Sequence, residues 1–388
     1  MNCKIVYSLL FISSCFLFSE NIRAQIPQGA TSAPTNIRAT DCPCVYADNS
    51  VLFRVTAPDA GKVQVDIGKL YDMKKDEKGV WTVTTDPQVP GFHYYSLVID
   101  GYKFADPASE SFYGTGKMSS AIDIPEEGTD FYLIKNVPHG EIRSTNYFSK
   151  TMNVWRPVNI YTPPGYNKDN AKRYPVLYIQ HGGGEDERGW AVQGKTNIIL
   201  DNLIAEGKAV PMIVVIANGN VTRPGATGGG GYNDEAMAAF KEELAGSVIP
   251  FIENNYRVKS GAANRAISGL SMGGGQAFYT GLRNTDLFGN VGVFSTGLFG
   301  GIGRQPAAAF DPEATIPGII TNPQSFNNKL KVFYISVGEQ DPRIEPTKKL
   351  VETFRSKGLK VEFASFPGGH EWQVWRKSLH DFAQKIFK

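Results

Sequence analysis

Residues 269–275 read Gly-Leu-Ser-Met-Gly-Gly-Gly, and this run restricts the chain more than any other. It joins "RAISG", a short run with strand character, to "MGGGQAFYTGLRN", which has helical character. A serine with glycine two positions away on each side fits a sharp strand-to-helix turn, where neighbouring backbones leave no room for side chains. Gly269 to Gly273 is the one G-x-S-x-G match in the chain. The pattern predicts that Ser271 projects its hydroxyl above the end of a strand. A serine hydroxyl becomes a nucleophile only beside a base, which an acid must orient.

The surrounding rhythm supplies places for both. From about residue 130, "YPVLYIQ", "MIVVIAN", "RAISG", "GNVGVFS", "KVFYISV" and "VEFASF" read as buried parallel strands. Helical stretches separate them, clearest in residues 233–258, where Asn233 is a fitting N-cap and Met237, Phe240, Leu244, Val248, Phe251 or Ile252, and Tyr256 form one stripe. The alternation predicts a doubly wound α/β sheet with its chemistry at the carboxyl ends of the strands. "VEFASF" runs into Gly368-Gly369-His370, and of the five histidines His370 alone stands where a base is needed. "KVFYISV" runs into Gly338-Glu339-Gln340-Asp341, making Asp341 the preferred acid and Glu339 the alternative.

An oxyanion hole needs two backbone N–H groups. Met272, next after the serine, supplies one, and the loop His181-Gly182-Gly183-Gly184 offers the second from Gly183 or, next, Gly182. A phosphate loop is excluded because no Lys-Ser/Thr pair follows these glycines. His181, Trp190, Tyr232 and Trp372 are candidate substrate contacts, "TGGGGY" (227–232) a mobile loop or plain connector, and 297–328 a lid or acyl pocket.

The N-terminal part has a different composition. Lys4, the apolar run Ile5 to Phe18 and Ala24 before Gln25 predict a secretory signal peptide over 1–24 and hence export, with lipidation at Cys15 the lesser alternative. That apolar run is too short for a membrane span. Residues 25–40 read as a leader or linker. Over 41–128 short β-rich runs such as "SVLFRVTA", "KVQVDIG" and "FHYYSLVID" alternate with turn signals, predicting a small antiparallel sandwich. Trp81, Tyr94 and Tyr95 there are read as core or interface fillers in preference to sugar platforms. Cys42 and Cys44 are read as small residues of the first strand, since a disulfide across one residue is strained. The four cysteines all precede residue 45, which excludes a cysteine nucleophile beyond it, and the net charge of +2 offers no nucleic-acid surface.

Taken together, "YIQHGGGEDERGW", "FKEELAGSVIPFIENNYRV", "AISGLSMGGGQAF", "SVGEQD" and "FPGGHEWQVW" resemble carbohydrate esterase family 1, the feruloyl and acetylxylan esterases. The resemblance covers roughly 135–388. It implies an α/β-hydrolase domain over 129–388, with Ser271 as nucleophile, Asp341 as acid, His370 as base and no metal or organic cofactor. The region before it resembles an immunoglobulin-like, family-48 carbohydrate-binding-like domain. The implied substrate is feruloylated arabinoxylan, with acetylxylan as the same-chemistry alternative; a non-catalytic glycan-binding protein is the alternative of another class.

Overall fold

Apolar strands that alternate with amphipathic helices bury both sheet faces, and the C-terminal two-thirds of the chain does so. A computed structural model describes residues 26–37, 41–226, 232–300 and 310–388. The signal-peptide reading and Cys15 lie outside the described residues, as do most of the glycine loop and residues 301–309 of the long segment.

The large sheet has eight strands. In chain order they are β1 (Glu141–Ser149), β2 (Val154–Thr162), β3 (Val176–Gln180), β4 (Ile213–Ala217), β5 (Arg265–Leu270), β6 (Asn290–Phe294), β7 (Val332–Gly338) and β8 (Glu362–Phe366). Their order across the sheet is β1-β2-β4-β3-β5-β6-β7-β8. β2 alone runs opposite to the rest, antiparallel to both β1 and β4. From β4 onwards each pairing is parallel. Successive residues of β3 serve opposite faces: Val176 and Tyr178 join one core, Leu177 and Ile179 the other. This is an α/β-hydrolase sheet, with β1 and β2 forming a hairpin that the sequence reading did not anticipate.

Helices α1 (Thr196–Ala205), α2 (Asp234–Glu243), α3 (Ile249–Asn255), α4 (Met272–Arg283), α5 (Ile344–Ser356) and α6 (Trp372–Ala383) pack around the sheet. Asn233 caps α2 by accepting the Ala236 N–H. One π turn, Leu244–Val248, links α2 to α3, so the apolar stripe read from the sequence continues through it.

Before this domain lie two antiparallel sheets, one of five strands and one of six, facing each other as a sandwich. Its core includes Phe53, Val63, Val65, Trp81, Tyr95 and Ile122. Two expectations change here. The stretch read as leader or linker contains a strand, Ala30–Ser32, paired antiparallel with Cys44–Tyr46. Cys42 and Cys44 are joined as a disulfide; the turn at Pro43 sets their Cα atoms 4.6 Å apart, within disulfide range.

Candidate active site

β5 ends at Leu270 and α4 begins at Met272, leaving Ser271 alone on the turn at φ +52°, ψ −114°. An L-residue in this region costs about 1–3 kcal/mol and persists only where its surroundings fix it. Here Ser271 N–H donates to Phe294 O at 2.8 Å, and Ser271 O accepts from Gly275 N–H at 3.2 Å. The glycines have a steric reason. A Cβ on Gly269 would stand 2.5 Å from the Gly273 carbonyl carbon, and one on Gly273 2.6 Å from Gln180 O.

His370 Nε2 lies 3.0 Å from Ser271 Oγ, and its Nδ1 lies 2.7 Å from Asp341 Oδ2. The carboxylate can only accept, so it fixes the proton on Nδ1 and leaves Nε2 to receive the serine proton. Asp341 is buried, which alone would raise its carboxyl, but hydrogen bonds from His370 and Arg343 outweigh burial and hold it below the ordinary carboxylate range. Arg343 contributes both its backbone N–H, at 3.0 Å, and Nη1, at 2.8 Å, to Asp341 Oδ1. Glu339 is exposed just past the end of β7, whereas the hydrogen bonds of the His370 ring among the described residues go to Asp341 and Ser271.

Met272 N–H is the first of α4, with no acceptor inside the helix. Gly183 is exposed beside the serine, and its N–H carries no hydrogen bond among the described residues. Gly182 is different, because its N–H donates to Glu185 Oε2 at 3.1 Å. The geometry therefore favours Gly183 with Met272 as the oxyanion pair and leaves Gly182 committed elsewhere.

A cavity of about 180 Å³ opens beside Ser271 and His370. Trp372 and Trp375 from α6, Leu270 and Glu185 line it. Phe92, Tyr94 and Thr115 complete it from the sandwich, which sequence reading could not place. Tyr94 Oη accepts N–H bonds from Gln193 at 3.0 Å and Trp372 at 3.2 Å. Burial pushes the Tyr94 phenol up to about 12, so it stays protonated at neutral pH.

Of the four candidate substrate contacts, only Trp372 reaches this cavity. Trp190 is fully buried and donates to Gln180 O at 2.8 Å. His181 is also buried; its Nε2 accepts Gly219 N–H at 2.9 Å, so Nδ1 carries the proton to Gly182 O at 2.7 Å. Burial lowers the His181 pKa, keeping the ring neutral as a brace of the glycine loop. Tyr232 packs its ring on Gly275 and accepts Gly297 N–H at 3.1 Å. Among the described residues no group of three or more His, Cys, Asp or Glu side chains is set to hold a metal, and no helix is long and apolar enough to cross a membrane.

Fold and site together define an α/β-hydrolase with a serine–histidine–aspartate array. The Esterase family model matches residues 149–386, and the chain belongs to that family. It is 37% identical over 367 residues, 92% of this chain and 47% of the relative, to an endo-1,4-β-xylanase/feruloyl esterase of Xylanibacter ruminicola. It is 28% identical, over 75% of this chain and 27% of the relative, to endo-1,4-β-xylanase Y of Acetivibrio thermocellus. The chain thus spans about half of the first relative and about a quarter of the second. Among solved structures, a ferulic acid esterase of Anaeromyces mucronatus matches at TM-score 0.53 and 27% identity, covering 66% of this chain and 95% of that one. The enterobactin esterase of Shigella flexneri shares the fold at TM-score 0.62 and 16% identity, covering 86% of this chain and 92% of that one.

Proposed function

We propose that the protein is a serine carboxylic-ester hydrolase that removes feruloyl (hydroxycinnamoyl) groups from arabinoxylan outside the cytoplasm. The observation that carries the reading is the hydrogen-bonded series Ser271–His370–Asp341 opening on an aromatic cavity. A slot walled by Phe92, Tyr94, Trp372 and Trp375 suits a flat aryl acyl group, for which the small acetyl group has no need. The names of the Xylanibacter ruminicola and Anaeromyces mucronatus proteins support the same substrate class. The cleavable segment read over 1–24 fits an enzyme whose polymeric substrate stays outside the cell.

In this reading Ser271 Oγ attacks the ester carbonyl while His370 Nε2 takes its proton, and the carbonyl oxygen becomes an oxyanion facing the N–H groups of Gly183 and Met272. The C–O bond to the sugar then breaks, and His370 returns the proton to the departing hydroxyl. Water attacks the acyl-Ser271 ester by the same route, releasing the acid and restoring the serine. Asp341 stays ionised throughout and stabilises the imidazolium. The sandwich, which takes in Ala30–Ser32 as well as residues 41–128, acts as one domain and residues 129–388 as the esterase domain.

Turnover of methyl ferulate and of acetylated xylan, each with the Ser271→Ala variant alongside, tests the proposal. Ferulate release that falls by about 10³-fold or more in Ser271→Ala is the expected result. Acetate release alone would retain the chemistry and replace the substrate. Binding to xylan with no serine-dependent turnover would replace the enzyme by a glycan-binding protein.

A further inference from the structure

Glu185 is a buried carboxyl that the acyl-transfer scheme leaves without a role. It lines the same cavity as Ser271 and His370 and is 6% exposed. Its hydrogen bonds converge on one residue, Gly182. Glu185 Oε2 accepts Gly182 N–H at 3.1 Å, and Glu185 N–H donates to Gly182 O at 3.3 Å. His181 Nδ1 donates to that same oxygen at 2.7 Å. With Gly182 O held on one side, the trans peptide turns Gly183 N–H to the other side. Both ends of Gly182 are therefore pinned, and the unpaired Gly183 N–H is aimed by them.

The carboxyl also stands close to where negative charge would develop. A side-chain carbon at Gly182 would lie 3.5 Å from both Glu185 Oε2 and Ser271 Cβ and 2.6 Å from Leu270 Cδ1, so acid and nucleophile flank Gly182 with Leu270 packed beside them. The groups around Glu185 do not neutralise an anion there. Asp186 and His181 come from its own loop, Tyr94 from the sandwich, and His370 and Glu371 from the loop after β8. Trp372 presents its indole N–H, and Arg376, farther along α6, is engaged by Asp123. Among the described residues Glu185 has no ion-pair partner, and its burial, opposed by the Gly182 and Trp372 N–H groups, pushes its pKa up to about 7.

We propose that Glu185 is the positioning residue of the oxyanion loop, and that it serves in its neutral form, because an ionised carboxylate there would oppose the oxyanion held by Gly183 and Met272. The inference rests on the serine-esterase reading given above. It makes turnover fall on the alkaline side as Glu185 loses its proton, where a serine–histidine pair alone would reach a plateau.

The test is the pH profile of kcat on methyl ferulate for the full chain, Glu185→Gln and Glu185→Leu. Glutamine keeps an acceptor for Gly182 N–H and cannot ionise. Glu185→Gln is expected within about threefold of wild type at pH 6 and to lack the wild-type fall between roughly pH 7 and 9. Glu185→Leu is expected to lose about tenfold or more in kcat at every pH, with KM changed less than about threefold. A wild-type profile flat to pH 9, the same alkaline fall in Glu185→Gln, or wild-type kcat in Glu185→Leu would overturn the proposal. If the leucine variant does not fold, the glutamine comparison still decides it. Turnover that survives Ser271→Ala would sink the reading of the site as a whole, whereas Ser271-dependent turnover with an unchanged Glu185→Gln profile would sink this inference alone.

Discussion

At Asp341 a single carboxylate serves two donors, His370 on Oδ2 and Arg343 on Oδ1, and it does so without surface exposure. Replacing it with asparagine would free the imidazole to adopt the other tautomer, so Asp341→Asn is expected to lower kcat by about 10³–10⁴-fold with little change in KM. Glu339→Gln is expected within about twofold of wild type; steady-state kinetics on one ester decides between the two acids. Glu185 makes a separate thermodynamic prediction. Its folded pKa is raised from 4.5 to about 7. The folded state therefore holds a proton that the unfolded chain releases, and stability present below pH 4.5 is lost as pH rises through about 7. Glu185→Gln carries no such loss. Its stability relative to wild type should rise by on the order of 3 kcal/mol between roughly pH 4 and 8, read from urea midpoints at both values.

The turn around Ser271 shows what a local pattern can and cannot disclose. Gly273 has carbonyl oxygens of Gln180 and His181 2.6 Å from where its Cβ would be, and backbone cannot yield as a flexible side chain can. Gly273→Ala is therefore expected to destabilise the protein by about 1–3 kcal/mol or more. Gly183→Ala meets nothing within 4 Å and should leave the thermal midpoint nearly unchanged. The turn was legible because its steric demand falls on residues adjacent in sequence, and so were Asp341 and His370, each in the loop after an apolar strand. Arg343 and Glu185 were visible as letters but not as partners, because their hydrogen bonds depend on how each loop folds back. The hairpin β1–β2 was missed for another reason. "EIRSTNYFS" is polar along much of an edge strand, Pro157 interrupts its partner, and Phe148 and Trp155 pair on the exposed side. Trp190 shows the reverse error: an aromatic near the glycine loop suggested substrate contact, whereas its indole N–H is spent on Gln180 O in the core.

Across the whole molecule, the sandwich and the α/β domain meet through contacts that no single-domain pattern could reveal. Asp123 of the sandwich accepts from Arg376 Nη1 at 3.0 Å and pairs with Lys195 at 3.0 Å. Arg376 is completely buried, so removing its partner leaves a charge without water, typically costing about 3–5 kcal/mol. Gly116 N–H donates to Gly184 O at 2.8 Å, tying a sandwich turn to the glycine loop that flanks Ser271. Tyr94 then carries the sandwich to the cavity wall, between Gln193 and Trp372. A domain that only tethered the enzyme to glycan would leave hydrolysis of a sugar-free ester untouched. Tyr94→Ala removes part of the wall and one acceptor from each of Gln193 and Trp372. On methyl ferulate, which has no sugar, it is expected to lower kcat/KM by about tenfold or more. An unchanged kcat/KM in a folded Tyr94→Ala variant would reduce the sandwich to an appendage. The expected loss would instead make the acyl site a joint product of the two domains, with Asp123 and Arg376 maintaining the alignment on which the wall depends.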